Sequence, residues 1–272
     1  MSTIRVAVAG LGAVGLPVAK ALSSGGIPGL QLVAASAFDR VSAARRLEEI
    51  GAAGVPLLEL GQLAAVADVV VECLPPAAFC DVARPTLSAG KTLIVLSVTQ
   101  LLQHPELMAE QNAFPGTIIV PTGALCGLDA VKAAAEGGNV ESVIMQTRKP
   151  PSGLQKAPFV VEQGLDLSEL TQPLCLFSGS VTEAAKLFPA NVNVAVALAL
   201  AGIGPDRTQY EIWADPGVSR NSHSFSVVSD ESNFTVQVQG MPSKMNPATG
   251  ALTPLSTIAT LRGMVSRVRI GT

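Results

Sequence analysis

The chain has 272 residues, a formal net charge of −3, 48% hydrophobic residues and 14% charged ones. That charged fraction is well under the roughly 25% usual for soluble domains, and with so much apolar sequence it excludes intrinsic disorder. A sequence pI near 5.5 and the lack of a basic run exclude the electrostatic footprint of a nucleic-acid binder.

The length fits one large domain or two ordinary ones, either able to bury a core without disulfide or metal staples. Cys73, Cys80, Cys126 and Cys175 lie far apart, with no CxxC pair and no histidine at zinc spacing. They read as buried, reduced thiols in a cytoplasmic protein with no metal site. Residues 6–19 follow Arg5 as a signal peptide would, but Gly10, Gly12, Gly15 and Lys20 interrupt the run. The apolar run 194–203 is about half a bilayer span, so no membrane segment is expected.

In chain order, Ile4–Ala9 reads as a strand and 13–22 as a helix ending at Gly25-Gly26. Leu30–Ser36 is a second strand, followed by a helix with Arg45, Arg46, Glu48 and Glu49 on its solvent side. Residues 68–72, 92–97 and 117–121 complete five short β-branched runs alternating with Ala-rich helices, the pattern of parallel βαβ units buried on both faces.

After Pro121 the texture changes. Residues 128–135 look helical, and 148–158, rich in Pro, Gly and Lys, reads as a loop. Ser180 and Glu183 fit a capping box for a helix that must end before Pro189, and Asn191 can cap the next, which runs to Gly202. Strands are expected at 209–213, 225–229 and 234–239; the last puts Phe234, Val236 and Val238 on one face, as in a sheet with one wet side. Thr253-Pro254 has the N-cap and N1 chemistry of a final helix.

The strongest local motif is Gly10-Leu-Gly12-Ala-Val-Gly15, directly after a strand and opening a helix. Gly10 permits the tight turn, Gly12 lets a pyrophosphate approach the backbone and Gly15 lets helix and strand lie close. With Ala13 and Val14 these glycines form an expected dinucleotide cradle at a helix N-terminus. The lone Pro17 removes a backbone bond just beyond the first turn. At the end of the second strand stands Ser36, with Arg40 nearby, where a ribose-binding acid would favour NAD. A small polar residue beside an arginine accommodates a 2′-phosphate, so NADP is expected to be accepted, alongside NAD or not. Asp39 sits late for the ribose. The fold class is therefore α/β, an N-terminal Rossmann dinucleotide-binding domain (1–121, joined by a C-terminal helix, 247–272) and a C-terminal α+β domain with a mixed sheet (122–246).

Two histidines are present. His104 lies in a Gln-His-Pro-Glu turn and reads as an ordinary exposed residue; His223 lies in a polar stretch entering a strand.

The motifs Pro121-Thr-Gly-Ala124-Leu-Cys-Gly127-Leu-Asp129, Thr147-Arg-Lys-Pro-Pro151, Phe188-Pro-Ala-Asn191-Val-Asn193-Val-Ala195, Asp215-Pro216, Asn221-Ser-His223 and Asn246-Pro-Ala-Thr-Gly250 together resemble the L-aspartate dehydrogenase family. The resemblance implies a homodimer that oxidises L-aspartate to iminoaspartate with NAD or NADP, feeds NAD biosynthesis, and runs the reductive amination of oxaloacetate with ammonia in reverse. It puts His223 in the family's active-site position and Ala124 at a cofactor contact. The cofactor-contacting asparagine maps to Asn191 or Asn193, with Asn193 preferred because Asn191 has a competing use as a cap. A histidine suits proton exchange at neutral pH. Arg148, Lys149, Arg220 and Lys244 are the cations available to a substrate carboxylate, and Cys126 reads as a small packing residue. The alternatives are a reductase of another small amino or dicarboxylic acid, and a non-catalytic NAD(P)-binding sensor.

Overall fold

The computed structural model describes residues 3–109, 114–189, 192–243, 245–246 and 249–271. The chain divides into two compact units, Met1–Gly123 with Thr253–Arg269, and Ala124–Leu252 with Ile270–Thr272.

In the first unit β1 (Ile4–Ala9), β2 (Leu30–Ser36), β3 (Val69–Glu72), β4 (Thr92–Val95) and β5 (Thr117–Ile119) form one sheet in the order β2-β1-β3-β4-β5, every pair parallel. β3 reads Val-Val-Val-Glu and is buried along its whole length. This is the near-continuous apolar run that a central strand covered on both faces requires. The connections carry α1 (Gly15–Ser23), α2 (Arg40–Glu49), α3 (Leu63–Val66), α4 (Phe79–Ser88) and α5 (Thr99–Gln103). Pro17 proves to be the third residue of α1. The Leu16 amide before it donates to the Gly12 carbonyl (3.0 Å) and the Val18 amide after it to the Val14 carbonyl (3.3 Å), so Pro17 leaves out one bond of that series.

The second unit contains α6 (Leu128–Glu136), β6 (Val140–Lys149), α7 (Pro158–Glu162), β7 (Leu174–Ser180), α8 (Val181–Leu187), α9 (Asn193–Ala201), β8 (Gln209–Ala214), β9 (Ser222–Ser229) and β10 (Asn233–Gln239). Its sheet runs β10-β9-β6-β8-β7; β6 and β8 are parallel and the other neighbours antiparallel. Alternation divides the sheet into two faces. Val143, Met145, Thr147 and Lys149 of β6, Tyr210, Ile212 and Ala214 of β8, and His223, Phe225 and Val227 of β9 are all buried. β10 keeps Phe234, Val236 and Val238 half-buried and the residues between them exposed, as its sequence pattern predicts. Gly202, at the end of α9, nests against Val131 of α6 and Val143 of β6, where a Cβ would come within 2.9 Å of Val131 Cγ1.

The last helix, α10 (Leu252–Val265), packs on the first unit. Leu261 is fully buried in the cluster that holds Val6, Val8, Leu30 and Leu32, and the Arg262 guanidinium donates to the Gly26 carbonyl at 2.8 Å.

Several sequence expectations need correction. Arg148 and Lys149 are not loop residues: they end β6, the central strand of the second sheet, which the Pro-rich stretch after it obscures. Neither β6 nor β7 is among the expected strands. Their outward positions include Ser142, Gln146 and Arg148 of β6 and Ser178 of β7, so the hydrophobic run that marks a buried strand is broken. Arg46 is not turned to solvent; its Nη1 donates to the Leu11 carbonyl at 2.9 Å. The capping box at Ser180 and Glu183 forms, but α9 starts at Asn193 with Val192 at the N-cap position, and Asn191 lies outside the described residues. Pro254 is the third residue of α10 rather than the first. All four cysteines are free, yet none is fully buried and Cys126 is exposed.

Candidate active site

The glycine motif is the loop between β1 and α1, fixed from both sides. The Gly10 amide donates to the Ser36 carbonyl at the end of β2 (2.7 Å), and the Cys73 amide after β3 donates to the Ala9 carbonyl (2.8 Å). Gly10 has φ +96°, a region favouring glycine, and a Cβ there would overlap the Cys73 carbonyl. A Cβ at Gly15 would overlap the Gly10 carbonyl, whereas one at Gly12 meets nothing within 4 Å. Sterics of the fold thus account for Gly10 and Gly15; Gly12 is exposed and open to a ligand.

The N-terminus of α1 has no side-chain cap and no acid in its first turn; the Leu16 amide is taken by the Gly12 carbonyl (3.0 Å) and Pro17 has none, so the positive dipole end and the amides before Leu16 are what an anion can meet. Ala13 and Val14 are half-buried beside it. These residues fit the phosphates of a dinucleotide.

At the end of β2, Ser36 is buried, and Asp39 is committed as the N-cap of α2, its Oδ1 accepting from the Ser42 amide at 3.0 Å. Arg40 donates to Glu59 Oε1 (2.8 Å) and to the Leu57 carbonyl (2.6 Å). The pair is largely exposed, so it holds Arg40 only weakly.

The strand ends also carry a buried acid that the sequence reading passed over. Glu72, the last residue of β3, is fully buried and accepts from the Leu74 amide (2.8 Å), the Leu96 amide (3.1 Å), and the Ser97 amide and hydroxyl (both 2.9 Å). Burial raises its pKa against the opposing pull of these donors. Its signal was an acid closing an apolar run at the carboxyl end of a parallel strand, the edge where α/β sheets place ligands.

In the second unit, the antiparallel register sets Thr147 of β6 opposite His223 of β9. Thr147 Oγ1 lies 2.9 Å from His223 Nδ1, and the Tyr210 hydroxyl donates to Thr147 Oγ1 at 2.8 Å. Thr147 and Tyr210 are fully buried and His223 is 6% exposed. Burial, with a smaller contribution from the charge of Lys149, pushes the His223 pKa down to about 4. Lys149, two residues beyond Thr147 on the same face, is pushed down to about 8 by burial. Tyr210 is raised by burial above its ordinary range. Tyr210, like Glu72, was missed. As the chain's one tyrosine, alternating with Ile212 in a strand, its hydroxyl needed a buried partner.

The four candidate cations separate. Arg148 faces the opposite side of the sheet, donating to Asp215 Oδ2 at 3.0 Å and stacking over Trp213 at 4.7 Å. The Arg220 guanidinium rests on Met241 Sδ at 3.0 Å. Lys244 lies outside the described residues. Among the described candidates, Lys149 is the cation brought to the face of His223. Asn193 is half-buried at the first position of α9, and Ala124 is half-buried in the turn after Gly123. Among the described residues no cluster of His, Cys, Asp or Glu suits a metal ion, and no helix is long and apolar enough to cross a membrane.

Residues 10–121 match the family described as homoserine dehydrogenase, NAD binding domain, and 129–264 match aspartate dehydrogenase, C-terminal. The chain is 51% identical over 269 residues to L-aspartate dehydrogenase 3 of Bordetella bronchiseptica, covering 99% of this chain and 98% of that one. It is 47% identical over 272 residues to L-aspartate dehydrogenase of Bradyrhizobium diazoefficiens, covering 100% and 95%. Among solved structures, aspartate dehydrogenase from Thermotoga maritima superposes with a TM-score of 0.73 at 25% identity, over 98% of this chain and 99% of that one. A parallel NAD-binding sheet, a mixed sheet with a buried histidine, and likeness across the full length converge: the chain belongs to the aspartate dehydrogenase family.

Proposed function

We propose that this protein oxidises L-aspartate to iminoaspartate with NAD or NADP and runs the reductive amination of oxaloacetate in reverse. In this reading it acts as a homodimer in the cytoplasm and its product feeds NAD biosynthesis. The observation that carries the proposal is His223: a buried imidazole, neutral at pH 7, held by a hydroxyl on one nitrogen, with a lysine on the same sheet face. The full-length likeness to proteins named L-aspartate dehydrogenase supports the choice of substrate.

Gly10, Gly12, Ala13, Val14, Gly15 and the first turn of α1 bind the pyrophosphate. Ser36 and Arg40 meet the ribose, and Ala124 with Asn193 or Asn191 contacts the cofactor. When bound, the dinucleotide supplies the hydride acceptor. Lys149 attracts a substrate carboxylate, and His223 holds or moves the proton at the reacting nitrogen. Orienting the substrate contributes much of the rate, because fixed geometry removes the entropy of encounter.

The test is absorbance of reduced nicotinamide with L-aspartate, and with oxaloacetate plus ammonium, for wild type and His223→Ala. Turnover of aspartate that falls by about a hundredfold or more in the variant is expected. No turnover by the wild type, or an unchanged variant, overturns the reading. A panel of other amino and dicarboxylic acids separates a different specificity from a non-catalytic binder, and sedimentation tests the dimer.

A further inference from the structure

The row Tyr210, Thr147, His223 has more order than proton exchange by a lone histidine requires. Its three polar atoms lie on adjacent strands, the end members joined through Thr147 Oγ1 by contacts of 2.8 and 2.9 Å. Two hydroxyl hydrogens must be placed in a buried site. Among the described residues the phenol hydrogen of Tyr210 has one acceptor, Thr147 Oγ1. With that lone pair occupied, the Thr147 hydrogen has one acceptor, His223 Nδ1. The reverse arrangement, with Nδ1–H donating to Thr147, leaves a hydroxyl hydrogen buried without an acceptor, which proteins avoid.

We infer that Tyr210 and Thr147 are positioning residues that hold neutral His223 in the tautomer with its proton on Nε2, so that the residue meets the substrate as a hydrogen-bond donor. This rests on the reading of His223 as the residue at the reacting nitrogen and specifies which nitrogen acts and in which state. Nε2 has no hydrogen-bond partner among the described residues and is the atom left to face a ligand. The chain orients without relaying protons: drawing a proton from Thr147 toward Nδ1 would leave a phenolate at Tyr210, which burial opposes. Nε2 becomes a base only after a tautomer exchange that strands a hydroxyl hydrogen. The backbone register enforces the arrangement, since Thr147 and His223 are directly opposed in the β6–β9 pair and Tyr210 stands two residue pairs away on β8, opposite Met145.

The experiment is two-bond 1H–15N correlation on the full-length protein with 15N-labelled histidine at pH 7, the His104 signal being assigned with a His104→Gln variant. The expected spectrum shows His223 protonated at Nε2 and unprotonated at Nδ1; a proton on Nδ1 in the wild type overturns the proposal. Thr147→Val removes the hydroxyl at nearly constant shape. Its His223 signal should move toward a mixture of tautomers, and kcat should fall about tenfold with KM within about twofold, with Thr147→Ser restoring both. Tyr210→Phe should give a smaller shift in the same direction. A Thr147→Val enzyme with the wild-type tautomer and kcat also overturns it. If that variant does not fold, the wild-type spectrum and Tyr210→Phe decide. Wild-type turnover in His223→Ala would remove the functional reading while leaving the spectrum to judge the tautomer.

Discussion

Glu72 accepts hydrogen bonds from both the amide and the hydroxyl of Ser97, each at 2.9 Å, and so ties the end of β3 to the end of β4. Its other oxygen partners, the Leu74 and Leu96 amides, extend the tie to both loops that leave the sheet there. A carboxylate can accept from all four donors, whereas an amide presents N–H to some of them. Glu72→Gln should therefore cost about 2 kcal/mol or more through opposed donors, lowering Tm by roughly 4–8 °C. Scanning calorimetry measures this, and a variant melting with the wild type would contradict the assignment.

Gly12 and Gly15 should separate binding from folding. A Cβ at Gly15 overlaps the Gly10 carbonyl, so Gly15→Ala is expected to lose stability and soluble yield. Gly12→Ala has free space, so its Tm should stay within about 2 °C while KM for the dinucleotide rises about tenfold, because the methyl occupies the approach of the pyrophosphate. Thermal melts beside steady-state kinetics give both readouts. Equal affinity in Gly12→Ala would move the phosphate site elsewhere.

The proposed role of Arg40 in cofactor choice can be tested directly. Its guanidinium is shared between Glu59 and the Leu57 carbonyl at an exposed site, where an ion pair holds it only loosely. If Arg40 meets the 2′-phosphate, Arg40→Ala should lower kcat/KM with NADP about tenfold and leave NAD within about twofold. Equal losses with both cofactors would instead assign Arg40 to packing of the loop.

The pH dependence follows from the depressed basic groups of the second unit. His223 titrates near 4 in the folded state against 6.5 unfolded, so between these values the unfolded chain binds more protons. Its contribution to stability is full above pH 6.5, declines as pH falls, and levels off below about 4. Lys149 acts likewise between about 8 and 10.5, stability rising with pH across that window. Chemical denaturation across pH should lose the acid step in His223→Gln and the alkaline step in Lys149→Met. Since burial is the larger cause at His223, Lys149→Met should raise the histidine pKa without returning it to 6.5.

The parallel sheet was legible because its strands are apolar runs and its first turn is a glycine signature, both set by local chemistry. The mixed sheet was half legible. β8, β9 and β10 declare themselves by aromatic and β-branched alternation, while β6 carries Glu141, Gln146 and Arg148 on its outer face and is followed by two prolines. Histidine 223 could be singled out by the motifs around it. Its Thr147 and Tyr210 partners, 76 and 63 residues apart from their neighbours in the chain of contacts, could not.

By itself the sequence determined the family and the glycine loop between β1 and α1, and it singled out His223 as a candidate, since each rests on residue types at short, ordered spacings. Tertiary structure alone decided which cation shares the face of His223. Arg148 and Lys149 are adjacent in sequence, but a strand's period of two sends them to opposite sides, one onto Trp213 and Asp215, the other into the buried face. It also decided that Glu72 joins two loops and that Tyr210 and Thr147 meet the imidazole. Those contacts follow from strand order and register, which bring together groups that no local spacing connects.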